Sequence, residues 1–159
     1  MKECGVLTAR AAICRAIAVI VLFAASDTNA ASIRDEQRCL ALNLYFEARG
    51  EGRSGMIAVG WTVLNRVRSH DFPATPCAVV REGGERPPCQ FSWWCDGKSD
   101  RPRNQRSWNQ AMLISAQLLT NPPPDPTAGA LFFHGTQIRP PFQRLRTRTV
   151  RIGSHIFYR

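Results

Sequence analysis

Beyond residue 25 this chain has no apolar run near the ~20 residues needed to cross a bilayer. It has no Cys-x-x-Cys and no pair of histidines at ligand spacing, so a zinc cage has no signature here. Internal repeats and low-complexity segments are missing as well. Lysine is almost absent: after Lys2, Lys98 is the only one, and arginine carries the positive charge. Acids are scarce, 12 against 21 basic residues, which leaves a formal charge of +9. Such a field attracts polyanions: nucleic acid, anionic lipid surfaces or an acidic wall polymer.

The one long apolar run, Ala16 to Ala25, follows Lys2, Arg10 and Arg15 and precedes Ser26-Asp27-Thr28-Asn29-Ala30. A basic start, an apolar stretch of about ten residues and small residues at its end are the layout of a secretory signal. The reading is a signal peptide over 1–30, cut after Ala30, with 31–159 as one compact domain. Loss of the signal removes one net positive charge and leaves +8 on the domain. Export disfavours nucleic acid as partner and predicts a periplasmic or wall-associated monomer without a stable membrane anchor. It also changes how the cysteines read. Cys4 and Cys14 leave, while Cys39, Cys77, Cys89 and Cys95 remain in an oxidising compartment, where disulfides are the default. Four cysteines allow three connectivities; the short loop between Cys89 and Cys95 favours that pair, with Cys39–Cys77.

Periodicity gives helices over about Asp35–Arg49 (stopped by Gly50), Gly55–Arg68 (N-capped by Ser54), Cys77–Arg81 and Ser107–Leu119. The second is apolar on two faces and should be central, with Arg66 and Arg68 suited to its C-terminal end. Residues 82–88 read as a mobile loop or lid, and 121–126 as a Pro-rich connector. A short strand at 130–134 and a hairpin turning at Gly153-Ser154 close the chain. The fold class is α+β, mainly helical with a small C-terminal β-hairpin.

Glu47 follows an apolar and aromatic run where the first helix ends, on one face with Leu40 and Leu44. Desolvation there raises a carboxyl toward the range of a general acid. Neutralisation by Arg49, Arg53 or solvent is the competing reading.

Several ordered motifs bring a family into view: Glu47-Ala48-Arg49-Gly50-Glu51, Val63-Leu64-Asn65-Arg66-Val67, Cys89-Gln90-Phe91-Ser92-Trp93, Gly129 to His134 and Ile152 to Arg159. Together they resemble the SleB-type cell wall hydrolases, relatives of the spore cortex-lytic enzymes, from about Cys39 to Arg159. The resemblance implies a lysozyme-like fold, goose-type or soluble lytic transglycosylase-like. It also implies action on peptidoglycan glycan strands at the N-acetylmuramic acid–N-acetylglucosamine bond, without cofactor or metal, with the catalytic acid at Glu47. Gly52-Arg53-Ser54 and Phe142 depart from the commoner family pattern, and neither touches Glu47.

A lytic transglycosylase manages with one carboxyl, whereas ordinary glycosidases use two. Glu51 is the candidate second carboxylate, or else a structural partner of Arg49 or Arg53. Gln90, Ser92 and Trp93, next to a pinned cysteine, can bind and stack on sugars; a buried Trp and a turn-capping Ser are the alternatives. His134 and Tyr158 complete the substrate-binding candidates, Tyr158 as a stabiliser of charge near Glu47. Asn65 reads as a buried brace. A non-catalytic wall-binding module and a lysozyme-type muramidase remain as rival functions. A polyanion-binding protein is a further one, and predicts salt-sensitive nucleic-acid binding.

Overall fold

The computed structural model describes residues 32–159, and the signal segment expected at 1–30 lies outside them. Residues Asp35–Arg159 form one compact unit. In order come α1 (residues 32–48), α2 (Gly52–Arg68), α3 (Pro76–Val80), α4 (Ser92–Cys95) and α5 (Gln105–Thr120). Strands β1 (Phe132–Gly135), β2 (Arg148–Ile152) and β3 (His155–Tyr158) follow, with a 3₁₀ turn at Pro141–Arg144 between β1 and β2.

The centrality of α2 follows from its sequence. Met56, Val59 and Val63 point one way and Trp61 and Leu64 another, and all are buried. Gly60 sits where a Cβ would strike Leu118 of α5 and Leu44 of α1. Its missing side chain lets three helices meet closely, which is a packing role for glycine in a helix that otherwise penalises it. Around that point Leu40, Leu44, Tyr45, Met56, Ile114 and Leu118 form the main core.

Local chemistry sets the ends. Thr75 caps α3 by accepting from the Ala78 N–H at 3.2 Å, and Asn104 caps α5 by accepting from Ser107 at 2.9 Å. Ser54, expected to cap α2, lies inside it, because the helix begins at Gly52 with Glu51 at its N-cap position. Glu51 makes no cap bond, since its carboxylate is turned to the β2–β3 hairpin. Helix α4 was not legible in the sequence; four residues give no periodicity to read.

The sheet is antiparallel in the order β1-β3-β2. The expected hairpin is present, turning at Gly153 with φ of +58°, and β1 extends it on the β3 side with Phe133 opposite Phe157. Both disulfides take the favoured pairing, Cys39–Cys77 and Cys89–Cys95. The first ties α1 to α3. The second closes the segment that carries Gln90 and Ser92. The loop read as a lid is tied at its ends, Gln90 N–H donating to Glu82 C=O at 3.0 Å.

Candidate active site

The last turn of α1 places Glu47 at a cleft of about 270 Å³. Arg66 of α2, Gln90, Ser92, and His134 and His155 of the sheet line it with Glu47. Glu47 is half-buried, and it is the single carboxylate among the described residues lining this cleft. Burial pushes its carboxyl up to about 7, while the nearby Arg66 charge holds it from rising further.

Arg66 was read from sequence as a cation suited to the helix C-terminus. It is instead 2% exposed. Its Nε donates to the Leu131 carbonyl at 2.7 Å, and both Nη atoms donate to the Gln90 amide oxygen at 3.1 Å. The rings of Phe72, Phe91 and Phe132 surround it with centroids 5.2, 5.3 and 5.8 Å from the guanidinium carbon. Burial lowers even this guanidinium to about 10, with Glu82 and Glu47 opposing the shift. A signal was there to find: Val59, Val63 and Arg66 share one helical face, so the arginine continues an inward stripe.

Gln90, Ser92 and His134 therefore stand with Glu47 at one cleft. His134 Nδ1–H donates to the Gly135 carbonyl at 2.8 Å, which leaves Nε2 to accept from the Tyr158 hydroxyl at 3.0 Å. These two bonds fix the imidazole as a wall of the cleft. Tyr158, expected near the developing charge, stands behind His134, 5% exposed and stacked on it at 5.4 Å. It orients the histidine rather than facing the cleft. Trp93 is also displaced from the expected role. Its indole is 7% exposed, stacks on Phe46 at 4.9 Å and donates to Asn43 Oδ1 at 3.0 Å. It lines a neighbouring depression, not the Glu47 cleft.

Glu51 is a structural acid in this arrangement. It accepts from the Ser154 N–H at 2.8 Å and from the Ser154 hydroxyl, and these bonds hold its carboxyl below the usual range. Its partner is thus Ser154, not Arg49 or Arg53, because the β2–β3 turn presents both donors. Asn65 braces the connector by donating to Asp125 Oδ2 at 3.0 Å and the Ala130 carbonyl at 3.2 Å. His155, on the cleft wall, is 8% exposed with Nδ1 unpartnered, and burial lowers its pKa. Among the described residues no group of three His, Cys, Asp or Glu could hold a metal ion, and no helix is long and apolar enough to cross a membrane.

A helical domain with a small sheet, presenting one burial-raised carboxyl at the end of a core helix, is a lysozyme-like enzyme architecture. The chain belongs to the cell wall hydrolase family, whose model matches residues 50–158, beginning three positions after Glu47. It is similar to the spore cortex-lytic enzyme of Bacillus subtilis (strain 168), 32% identical over 121 residues, covering 76% of this chain and 36% of that protein. Its likeness to the spore cortex-lytic enzyme of Bacillus cereus (strain ATCC 14579) is 30% over 125 residues, covering 78% and 44%. The chain thus spans less than half the length of these relatives. The catalytic domain of the germination-specific lytic transglycosylase SleB from Bacillus anthracis superposes with a TM-score of 0.61 at 30% identity, covering 78% of this chain and 93% of that one. The Bacillus cereus SleB catalytic domain gives 0.58 at 29%, covering 79% and 91%.

Proposed function

We propose that this domain cleaves the N-acetylmuramic acid–N-acetylglucosamine bond of peptidoglycan as a lytic transglycosylase, with Glu47 as its single acid and base. The observation that carries the reading is the Glu47 carboxyl, raised to about 7 in a cleft where, among the described residues, no other carboxylate lines the wall. Family membership and the names of the relatives support the substrate class.

In the first step the protonated Glu47 gives its proton to the glycosidic oxygen. The bond from muramic acid C1 to that oxygen breaks, and the N-acetylglucosamine side leaves as an alcohol. A carboxyl near 7 suits this, because about half of it is still protonated at neutral pH and it becomes a useful base once ionised. In the second step the Glu47 carboxylate takes the proton of the muramic acid C6 hydroxyl, and O6 closes on C1. The product is a 1,6-anhydro sugar, no water is consumed, and Glu47 is protonated again. Arg66 stabilises the carboxylate between the two steps, fixed in place by Leu131, Gln90 and three rings. With its oxygen on Arg66, Gln90 turns its NH₂ to other acceptors, and exposed Ser92 supplies a hydroxyl for sugar groups. The two disulfides fit an exported, oxidising setting, and the domain acts there as a monomer.

Digestion of purified peptidoglycan in ¹⁸O-labelled water, followed by mass spectrometry, tests this reading. Anhydro-muropeptides without label from wild type, and none from Glu47→Gln, are expected. Labelled reducing ends would make the domain a lysozyme-type hydrolase. Binding without any product from wild type would leave only a wall-binding module.

A further inference from the structure

Consecutive residues on two elements open into two different depressions. Glu47 and Ser92 line the cleft already described, whereas Phe46 and Trp93 line a neighbouring one of about 310 Å³. Adjacent Cα atoms are only 3.8 Å apart, so the depressions lie back to back across one wall. The second has an aromatic floor, the Phe46–Trp93 stack. Its rim carries exposed Arg49, Arg101 and Arg103. Arg49 sits half a turn beyond Glu47 and packs over the Tyr45 ring with Nη1 on the Tyr45 hydroxyl at 3.3 Å. That hydroxyl also accepts from the backbone N–H groups of Arg103 and Asn104, at 2.9 and 3.0 Å. Tyr45, at 1% exposed, thereby nails the arginine-bearing loop to the helix that holds Glu47.

The depression continues. Lys98 and Asp100 line both it and a further one of about 320 Å³ that reaches Glu85 and Trp94. Lys98 is already paired with Asp96 at 3.3 Å. Asp100 has no cation within ion-pair distance among the described residues, and partial burial, then Asp96 and Glu85, push its carboxyl upward. The charges are therefore sorted: Arg49, Arg101 and Arg103 line only the depression that adjoins the Glu47 cleft, Asp100 stands where the two depressions meet, and Glu85 lines only the farther one. The Trp94 Nε1 is buried there without an acceptor.

From this juxtaposition we infer that the trough is a second substrate site, binding a short peptide with carboxylates toward Glu47 and an amino group farther out. Resting on the proposed cleavage of peptidoglycan, this assigns the trough to the peptide stem that muramic acid carries. The domain then acts on peptide-bearing strands in preference to bare glycan. A stem whose second residue keeps a free carboxylate and whose third residue ends its side chain in a free ammonium has this order of charges. The arginines take that carboxylate, Asp100 and Glu85 take the ammonium, and the aromatic floor covers the backbone between them.

Two measurements on the mature, disulfide-bonded domain test it. In the first, KM and kcat are compared on intact strands and on strands stripped of peptides by an amidase. Exposed pairs of this kind contribute a factor of about two to five each. Wild type should show a KM about tenfold lower on intact strands, and the Arg101→Ala/Arg103→Ala double variant should lose that preference with its rate on stripped strands unchanged. Asp100→Asn should lose only the part of the preference that acetylation of the stem amine also removes in wild type. In the second, the free diamino-acid tripeptide is titrated into wild type and the double variant, following the indole signals of Trp93 and Trp94. Saturable shifts in wild type alone are expected. Equal KM on both strands, or a preference kept by the double variant, overturns the inference. Cleavage of neither substrate would instead remove the proposed function, and absence of tripeptide binding would then remove the trough site as well.

Discussion

At Glu47, the burial that raises the carboxyl also costs stability. The folded carboxyl stands near 7 against an ordinary value of 4.5, so between those pH values the folded state holds more proton than the unfolded chain. The contribution to stability is complete below about 4.5 and is lost as pH rises through about 7. Glu47→Gln cannot ionise and should unfold with about 2 kcal/mol more stability than wild type at pH 8, with little difference at pH 4.5. Denaturant melts at the two pH values check this; an equal effect at both would mean that the carboxyl is not tuned by burial. Arg66 acts in the opposite direction on the same group. Arg66→Met should move the alkaline limb of kcat/KM to higher pH while lowering the melting temperature, because Leu131 and Gln90 lose their donors. A limb that stays in place would show that the charge is too well screened to matter.

At the scale of elements, the join between the α1–α2 corner and the β2–β3 turn is one carboxylate on one serine. Gly55 and Gly153 keep the space: a Cβ at either would strike Glu51. Gly153 also needs its positive φ of +58°. Gly153→Ala should therefore destabilise by about 2 kcal/mol or more, read as a fall in melting temperature. Glu51→Gln should cost less at neutral pH, about 1–2 kcal/mol, with turnover largely retained. Loss of turnover comparable to Glu47→Gln would return Glu51 to the catalytic site. These elements also show what a sequence can disclose. Helices over 35–49, 55–68 and 107–119 were legible within three residues, since long apolar stripes dominate their signal. The start of α2 was misplaced because Ser54 looks like a cap, and only the fold shows that Glu51 is engaged elsewhere. Glu47 was legible because a carboxyl on an apolar face is anomalous. Trp93 and Tyr158 were assigned to the wrong surfaces, since aromatic residues read alike whether they face a cleft or stand behind it. Arg66 was passed over because charge at a helix end has an ordinary explanation in the dipole.

At the scale of the molecule, two disulfides cross-link the described residues. Cys39–Cys77 closes 38 residues and Cys89–Cys95 closes 6. Chain entropy gives roughly 4 and 2 kcal/mol for loops of these lengths. Reduction should lower the melting temperature, and Cys39→Ala/Cys77→Ala should account for the larger part. The shorter bridge stands beside Gln90 and Ser92, so Cys89→Ala/Cys95→Ala should raise KM more than it lowers stability. The electrostatics also belong to this scale. No Asp or Glu follows Asp125, while six arginines do, so one end of the chain is uniformly cationic. Retention on isolated walls should weaken steeply with added salt, and a salt-independent affinity would assign binding to the clefts alone.

The pH dependence of kcat/KM for peptidoglycan solubilisation tests the central claim that one burial-raised carboxyl performs the chemistry. Because free enzyme must carry the proton on Glu47 to begin, the profile should fall above about 7 with a single ionisation, and Glu47→Gln should show no such limb and negligible rate. A profile that is flat from pH 5 to 9, or that declines already near the ordinary carboxylate value of 4.5, would contradict it.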